Sequence, residues 1–448
     1  MGLHWPRSLL RYESMSRIVT YRRRHFTIHL LVLLIVAGCA GLPPVSRAPL
    51  QEAAFPEADA QPSARPLRTA ASEPIGIVPL GYHYKPPTDG TSAETIAQQA
   101  RFIILTKNDE DFRDQLRRHG YKGPILQYIR GSEAEGPPTQ PNTPTCHSNV
   151  RPLANQVADQ RDDFCTLLHP HEDWFLHNGQ GERLYQGERR FYHMNPASEG
   201  WRAFVLERLK LRMFGDEETP PLGYDGIFFD NVELNLNKAR FLLTNSDGTV
   251  QEFQSDQDFR EAWRGWLEYM RQGLGPGIPI WANLIGSRYL PDEWNLYLPY
   301  LDGVMNEAFA TGYRRALSPQ AYRHELEQAE YALAHGKGVY AVSQGSQNDT
   351  ARQTFALASF LLIAQPYAPN YFRYSSAQEG YLSWWDYPNQ HLQIGVPLGA
   401  RYATKHGWRR DFTNGYVEVD LIAQKGKINL HPLPGTTSPP ASAPTPGQ

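Results

Sequence analysis

Two short stretches of this chain repeat one arrangement of acids. Asp225-Gly226-Ile227-Phe228-Phe229-Asp230 and Asp302-Gly303-Val304-Met305-Asn306-Glu307 each run Asp-Gly, then strand-forming residues, then a second carboxylate five positions after the first. In a strand rising about 3.3 Å per residue, the two acids of each stretch fall at opposite ends. Alternation puts Gly226, Phe228 and Asp230 on one face, and Gly303, Met305 and Glu307 likewise. If both stretches are parallel strands of a barrel, Asp230 and Glu307 point into its mouth at the C-terminal end, where such barrels keep their active sites. Paired carboxylates there can hydrolyse a glycosidic bond, with retention at a separation of about 5–5.5 Å or inversion at about 6.5–9.5 Å. One acid must be ionised and the other protonated, and proximity in a partly desolvated pocket pushes their pKa values apart. We assign Asp230 as nucleophile or charge stabiliser and Glu307 as general acid/base, with the reverse order open. The plainer alternative is that both merely accept loop N–H groups and close the strand ends. Asp225 and Asp302, at the far end, are expected to form caps or turns.

Other polar residues fall at strand ends of the same kind. His83, Tyr128, Asn231, Glu233, Asn283 and Gln344 are candidates for holding sugar hydroxyls, each against an equal case for a structural role. Glu233 is also the main rival to Glu307 as acid/base. Tyr381, Trp384 and Trp385, in a Ser-Trp-Trp-Asp-Tyr neighbourhood, are candidates for an exposed stacking platform, or else core. The run His169-Pro170-His171-Glu172-Asp173 has metal-ligand residue types, but zinc sites want a further ligand on a rigid support. We read it as a polar loop and assign no metal and no cofactor. A Walker-type loop, a dinucleotide fingerprint and a Gly-x-Ser-x-Gly elbow are all absent from the sequence.

The elements that would position these residues alternate as β-rich runs and amphipathic stretches, the pattern of parallel strands joined by crossover helices. Eight strand candidates begin at Ile75, Phe102, Pro124, Gly226, Pro279, Gly303, Gly338 and Asn370, which makes the two acid-bearing stretches the fourth and sixth. Helices are predicted over 198–213, 256–273 and 319–335, the last with Ser318 as N-cap, Pro319 in its first turn and Gly336 after its end. Trp201, Trp263 and Trp266 recur at helical spacing and are assigned to the core. Residues 131–196 are too many for a simple loop and read as an insertion after the third strand, over the barrel mouth. The alternating run from Gly415 reads as an antiparallel strand. The predicted class is therefore α/β, a (β/α)8 TIM barrel over residues 74–390 with that insertion and a small C-terminal β appendage over 391–430.

The N-terminus carries different information. Arg22-Arg23-Arg24 precede an apolar run from Ile28 to Ala37 that ends in Gly38-Cys39. About ten apolar residues are too few to span a bilayer core of about 30 Å, so the segment resembles a lipoprotein signal, with Cys39 as the lipidation site and Met15 a possible true start. Residues 40–73, rich in Pro, Ala and Ser, read as a tether, and 431–448 as a tail of like character. Export to an oxidising compartment makes a disulfide the expectation for the other two cysteines, Cys146 and Cys165, worth about 3 kcal/mol in the chain-entropy model. We expect a monomer in the bacterial cell envelope, anchored to the membrane by lipid, with the outer membrane favoured by Ala40 after Cys39. A net charge of −3 offers no basic field for nucleic acid, and 12% aromatic residues suit sugar stacking as well as a large core.

Tyr224-Asp-Gly-Ile-Phe-Phe-Asp-Asn-Val232, Asn283, Met305-Asn-Glu307, Tyr192-His-Met-Asn-Pro-Ala197 and Asn414-Gly-Tyr-Val417 together resemble glycoside hydrolases of the hypothetical family-fifteen type. More distantly the chain is similar to the endo-α-1,4-polygalactosaminidase family and the α-galactosidase-like barrels. The resemblance implies a (β/α)8 barrel with a fourth-strand Asp matched by Asp230 and a second acid matched by Glu307. The function expected is hydrolysis of an O-glycosidic bond in a cell-surface or secreted polysaccharide. Two alternatives stand beside it: a non-catalytic glycan-binding or assembly lipoprotein, and a metal-dependent carbohydrate deacetylase built on the His169/His171 loop.

Overall fold

β-branched and aromatic runs become strands here because each can bury one face inside a barrel and the other under helices. The computed structural model describes residues 78–139, 145–147, 151–188, 190–285, 291–313 and 315–431. The first three barrel strands are β1 (Leu80–Tyr84), β2 (Ala100–Leu105) and β3 (Ile125–Arg130). An insertion with β4 (Glu133–Glu135), β5 (Tyr185–Gln186) and β6 (Phe191–His193) follows. The barrel resumes with β7 (Gly226–Glu233), β8 (Ile280–Ile285), β9 (Gly303–Asn306), β10 (Gly338–Gln344) and β11 (Asn370–Ser375). These eight parallel strands close in the order β1-β11-β10-β9-β8-β7-β3-β2. Helices α1 (Ala93–Gln99), α2 (Glu110–Arg118), α3 (Glu199–Phe214), α4 (Asn237–Phe241), α5 (Asp256–Leu274), α6 (Pro319–Ala334) and α7 (Thr350–Ile363) fall between strands. The fold is a (β/α)8 TIM barrel, as expected, and all eight predicted strands are present.

Helix starts follow the sequence signals. Ser198, Ser255 and Ser318 each accept a hydrogen bond from a first-turn N–H, those of Trp201, Asp258 and Ala321, and such caps are worth about 1 kcal/mol each. Trp201, Trp263 and Trp266 are buried between helices and strands, in the layer assigned to them. Inside the barrel a separate cluster of Phe102, Ile104, Leu126, Phe228, Trp281, Met305, Tyr340 and Val342 fills the floor. Trp281 explains one half of the repeated Asp-Gly pair. A Cβ on Gly303 would lie 2.5 Å from its indole, and one on Gly338 would lie 2.2 Å from it, so both strands need glycine where the ring crosses.

The Asp of each pair has one job, performed twice. Asp225 Oδ2 accepts the Ile125 N–H at 2.7 Å and an Arg117 N–H at 2.6 Å. Asp302 Oδ2 accepts the Ile280 N–H at 2.7 Å and an Arg271 N–H at 2.5 Å. Each acid thereby clasps the start of the neighbouring barrel strand, β3 for Asp225 and β8 for Asp302.

The insertion pairs β4, β6 and β5 in an antiparallel sheet, and Cys146 and Cys165 are joined with Cα atoms 5.3 Å apart. The polar run within it is consumed internally. His169 Nδ1 lies 3.0 Å from an Arg183 guanidinium nitrogen, the His171 ring stacks on Trp174 at 4.4 Å, and Glu172 bonds both Arg183 and His177. His169 and Glu172 thus share the Arg183 guanidinium, while His171 packs on Trp174. After the barrel, β12 (Tyr402–Ala403), β13 (Gly407–Phe412), β14 (Gly415–Asp420) and β15 (Lys425–Leu430) form an antiparallel sheet on α7. Buried Arg410 ties the two together by donating to the carbonyls of Leu361, Leu362 and Ala364 at the helix end. Cys39 and the rest of the signal and tether lie outside the described residues. Among the described residues no helix is long and apolar enough to cross a membrane.

Candidate active site

Register carries the two acids to the same end of the barrel. Asp230 pairs with Arg130 across β3 and β7, two residues beyond Phe228 of the floor, and Glu307 follows the end of β9, two beyond Met305. Both are partly buried, and Asn283, two beyond Trp281 on β8, stands between them. Its Nδ2 donates to Asp230 Oδ1 at 3.0 Å and to Glu307 Oε2 at 2.9 Å. An amide nitrogen has two hydrogens about 120° apart, so the two acceptor oxygens are about 5 Å from each other.

The remaining bonds divide the acids. The Tyr128 hydroxyl donates to Asp230 Oδ2. Glu307 accepts from Tyr381 on Oε1 at 2.5 Å and from Tyr313 on Oε2 at 2.8 Å. Gln344 Nε2 donates to the Glu307 carbonyl at 2.8 Å and to the Tyr381 hydroxyl at 2.6 Å. Burial, and after it the charges of Asp230 and Glu307 respectively, raise the Tyr128 and Tyr381 hydroxyls well above the ordinary phenol value, so both stay protonated donors. Burial, then the charge of Asp230, raises the Glu307 carboxyl above the glutamate range, against the pull of its three donors. A carboxyl so placed keeps its proton to a higher pH than a free one, as a general acid requires.

His83, at the end of β1, is 3% exposed, with Nδ1 2.8 Å from the Tyr340 hydroxyl and its ring 4.4 Å from that of Tyr381. Burial and then the charge of Arg373 depress its pKa well below the histidine range, so the ring is neutral. Arg373 in turn donates to the carbonyls of His83, Tyr381 and Ser383, which fastens the loop carrying Tyr381 to β1.

Several sequence expectations need correction. Tyr128 and Asn283 reach the site and bond the carboxylates, while Gln344 bonds the Glu307 backbone carbonyl, the Tyr381 hydroxyl and the Ala377 N–H. Glu233 is not at the mouth. The β7 ladder shifts between Phe229 and Val232, and Asn231 takes a left-handed conformation, φ 57°. Glu233 therefore turns into the body, 2% exposed and 3.4 Å from Lys238 Nζ, with burial pushing its pKa up to about 6. Lys238 also bonds Glu133 at 2.8 Å, and Arg130 pairs with Glu133 at 3.0 Å. Asn231 is drawn to the same place, with Nδ2 3.4 Å from Glu133 Oε1. Trp384 and Trp385 are 8% and 6% exposed, and the Trp384 indole N–H donates to Gln99 at 2.5 Å, so they are packing residues and no platform. Tyr313 and Arg373 were missed. Arg373 shares the inward phase of β11 with Tyr371 and was legible in principle, whereas Tyr313 lies in an aperiodic loop that gives no signal.

No curated protein matches the chain. Among solved structures it is similar to the glycoside hydrolase domain of PelA from Pseudomonas aeruginosa, at 14% identity and TM-score 0.43, covering 70% of this chain and 99% of that one. It is also similar to a maltogenic α-amylase, AmyB, from Thermotoga neapolitana, at 10% identity and TM-score 0.40 over 77% of this chain and 85% of that one. A third is the Arthrobacter globiformis T6 isomalto-dextranase, at 13% identity and TM-score 0.38 over 80% and 64%. A family profile described as hypothetical glycosyl hydrolase family 15 matches residues 149–416. That match spans more than half of the chain, including both acids and the asparagine between them, and the chain belongs to this family of glycosyl hydrolases, with a carbohydrate as its substrate.

Proposed function

We propose that the protein cleaves O-glycosidic bonds of a cell-surface or secreted polysaccharide with retention of configuration, using Asp230 as nucleophile and Glu307 as acid/base. The observation that carries this reading is the Asn283 amide shared between the two acids, whose reach corresponds to the short separation of retaining glycosidases, about 5–5.5 Å. In the first step the Asp230 carboxylate attacks the anomeric carbon while Glu307 gives its proton to the departing oxygen, and the glycosidic C–O bond breaks. In the second, Glu307 takes a proton from water, whose oxygen displaces Asp230 from the sugar. The raised Glu307 pKa supports this assignment over the reverse one. Lipid attachment at Cys39 would hold the protein at the cell envelope.

Reducing-end release from a panel of bacterial exopolysaccharides tests the reading, with Asp230→Asn and Glu307→Gln alongside. Release that both substitutions abolish in folded protein, with the product's first anomer matching the substrate's by proton NMR, is expected. Glycan binding without release in all three proteins would replace it by a binding function. Transfer of Cys39→Ala protein from membrane to soluble fractions tests the anchor.

A further inference from the structure

Resting on the two-carboxylate reading, we propose that Tyr313 builds the leaving-group side of the site: its ring is the platform for the departing sugar, and its hydroxyl holds the Glu307 oxygen that delivers the proton. The two oxygens of Glu307 have different surroundings. Oε1 faces inward, because its partner Tyr381 is buried and that hydroxyl is backed by buried Gln344. The Tyr381 oxygen accepts the Gln344 N–H, which leaves its own hydrogen for Oε1, so Oε1 is an acceptor throughout. Oε2 meets Asn283, which is buried between the acids, and Tyr313, which is 47% exposed.

The transferable proton therefore resides on Oε2. A tyrosine hydroxyl carries both a donor hydrogen and acceptor lone pairs, so Tyr313 can donate to the carboxylate or accept from the acid, serving both protonation states without moving its ring. An oxygen that takes the Oε2 proton has to approach from the Tyr313 side, and the sugar bearing that oxygen lies against the exposed ring. Among the described residues, Tyr313 is the one exposed large hydrophobic side chain hydrogen-bonded to either acid. A half-exposed amphipathic ring suits the apolar C–H face of a sugar. The Trp384-Trp385 pair expected in this role is buried, which leaves it to Tyr313.

The experiment uses the full chain with neutral, acidic and amino-sugar-containing exopolysaccharides, read by kinetics and by retardation in glycan-loaded gels, with circular dichroism to confirm folding. Tyr313→Phe keeps the ring: KM and retardation should stay within about threefold of wild type. The alkaline limb of kcat/KM should move to higher pH because Oε2 has lost a donor. Tyr313→Ala should raise KM and weaken retardation about tenfold or more, and Tyr313→Trp should recover binding but not the original pH limb. Tyr313→Ala with unchanged KM and retardation overturns the proposal, as does Tyr313→Phe that binds as poorly as Tyr313→Ala. If Asp230→Asn and Glu307→Gln keep turnover, the two-carboxylate reading fails by itself, and the retardation of Tyr313→Ala against wild type still decides the platform. A wild type that neither cleaves nor is retarded by any of these glycans overturns both.

Discussion

Removing the Asn283 amide is the sharpest perturbation of the proposed mechanism, because one nitrogen serves both acids. Asn283→Ala deletes a hydrogen bond to the Asp230 carboxylate and one to Glu307 that becomes charge-assisted as Glu307 gives up its proton; a bond to a charged group is worth about 1.5–3 kcal/mol. Not all of that reaches the barrier. As Asp230 bonds to the sugar its charge fades and its share of the amide weakens, while Glu307 becomes a full carboxylate and its share strengthens. The net loss in the transition state is thus close to one such bond together with the lost spacing, or roughly a hundredfold in kcat/KM, borne mainly by kcat. The pH profile should change as well. Glu307 acts protonated, so activity falls as pH rises through its pKa, and that pKa is already raised by burial and Asp230. Loss of the Asn283 donor raises it further and moves the alkaline limb upward. The assay is kcat/KM against pH on the glycan that the wild type cleaves, with product configuration followed by NMR. A variant within about threefold of wild type, with the same alkaline limb, would refute the shared-amide argument.

Three further outcomes are expected. Tyr381→Phe removes the Oε1 donor of Glu307 and should shift the alkaline limb of kcat/KM upward with little change in KM, checked on the same substrate. Gly303→Ala forces a methyl into the Trp281 indole and should cost about 1–3 kcal/mol in urea unfolding, partly recovered by Trp281→Phe in the same chain. Cys146→Ser with Cys165→Ser opens a loop of 19 residues' separation and should lower stability by about 3 kcal/mol, read as a lower Tm.

The barrel and its two acids were legible because strand alternation is regular where they lie. Floor residues such as Phe228 and Met305 and mouth residues such as Asp230 and Glu307 are spaced by two, and the clasps at Asp225 and Asp302 mark where counting starts. Legibility ended where that regularity did. Beyond Asp230 the left-handed turn at Asn231 shifts the ladder, so Glu233 went to Lys238 instead of the mouth. Trp384 and Trp385 belong to a chain that folds back on Gln99 and Asp89, a long-range contact with no local pattern. Tyr313 sits six positions past Glu307 in a loop, and only tertiary structure returns it to the acid. Of the candidate sugar-binding amides, Asn283 stands between the two acids, and a sequence does not show that two acids need their donors first.

The indole of Trp281, wedged between Gly303 and Gly338, has a consequence for traffic. With that ring and its neighbours packed across the barrel's base, the interior is a plug and not a tunnel. A carbohydrate substrate cannot pass through the barrel from end to end. It has to enter at the mouth, and under the proposed cleavage its products leave by the same side.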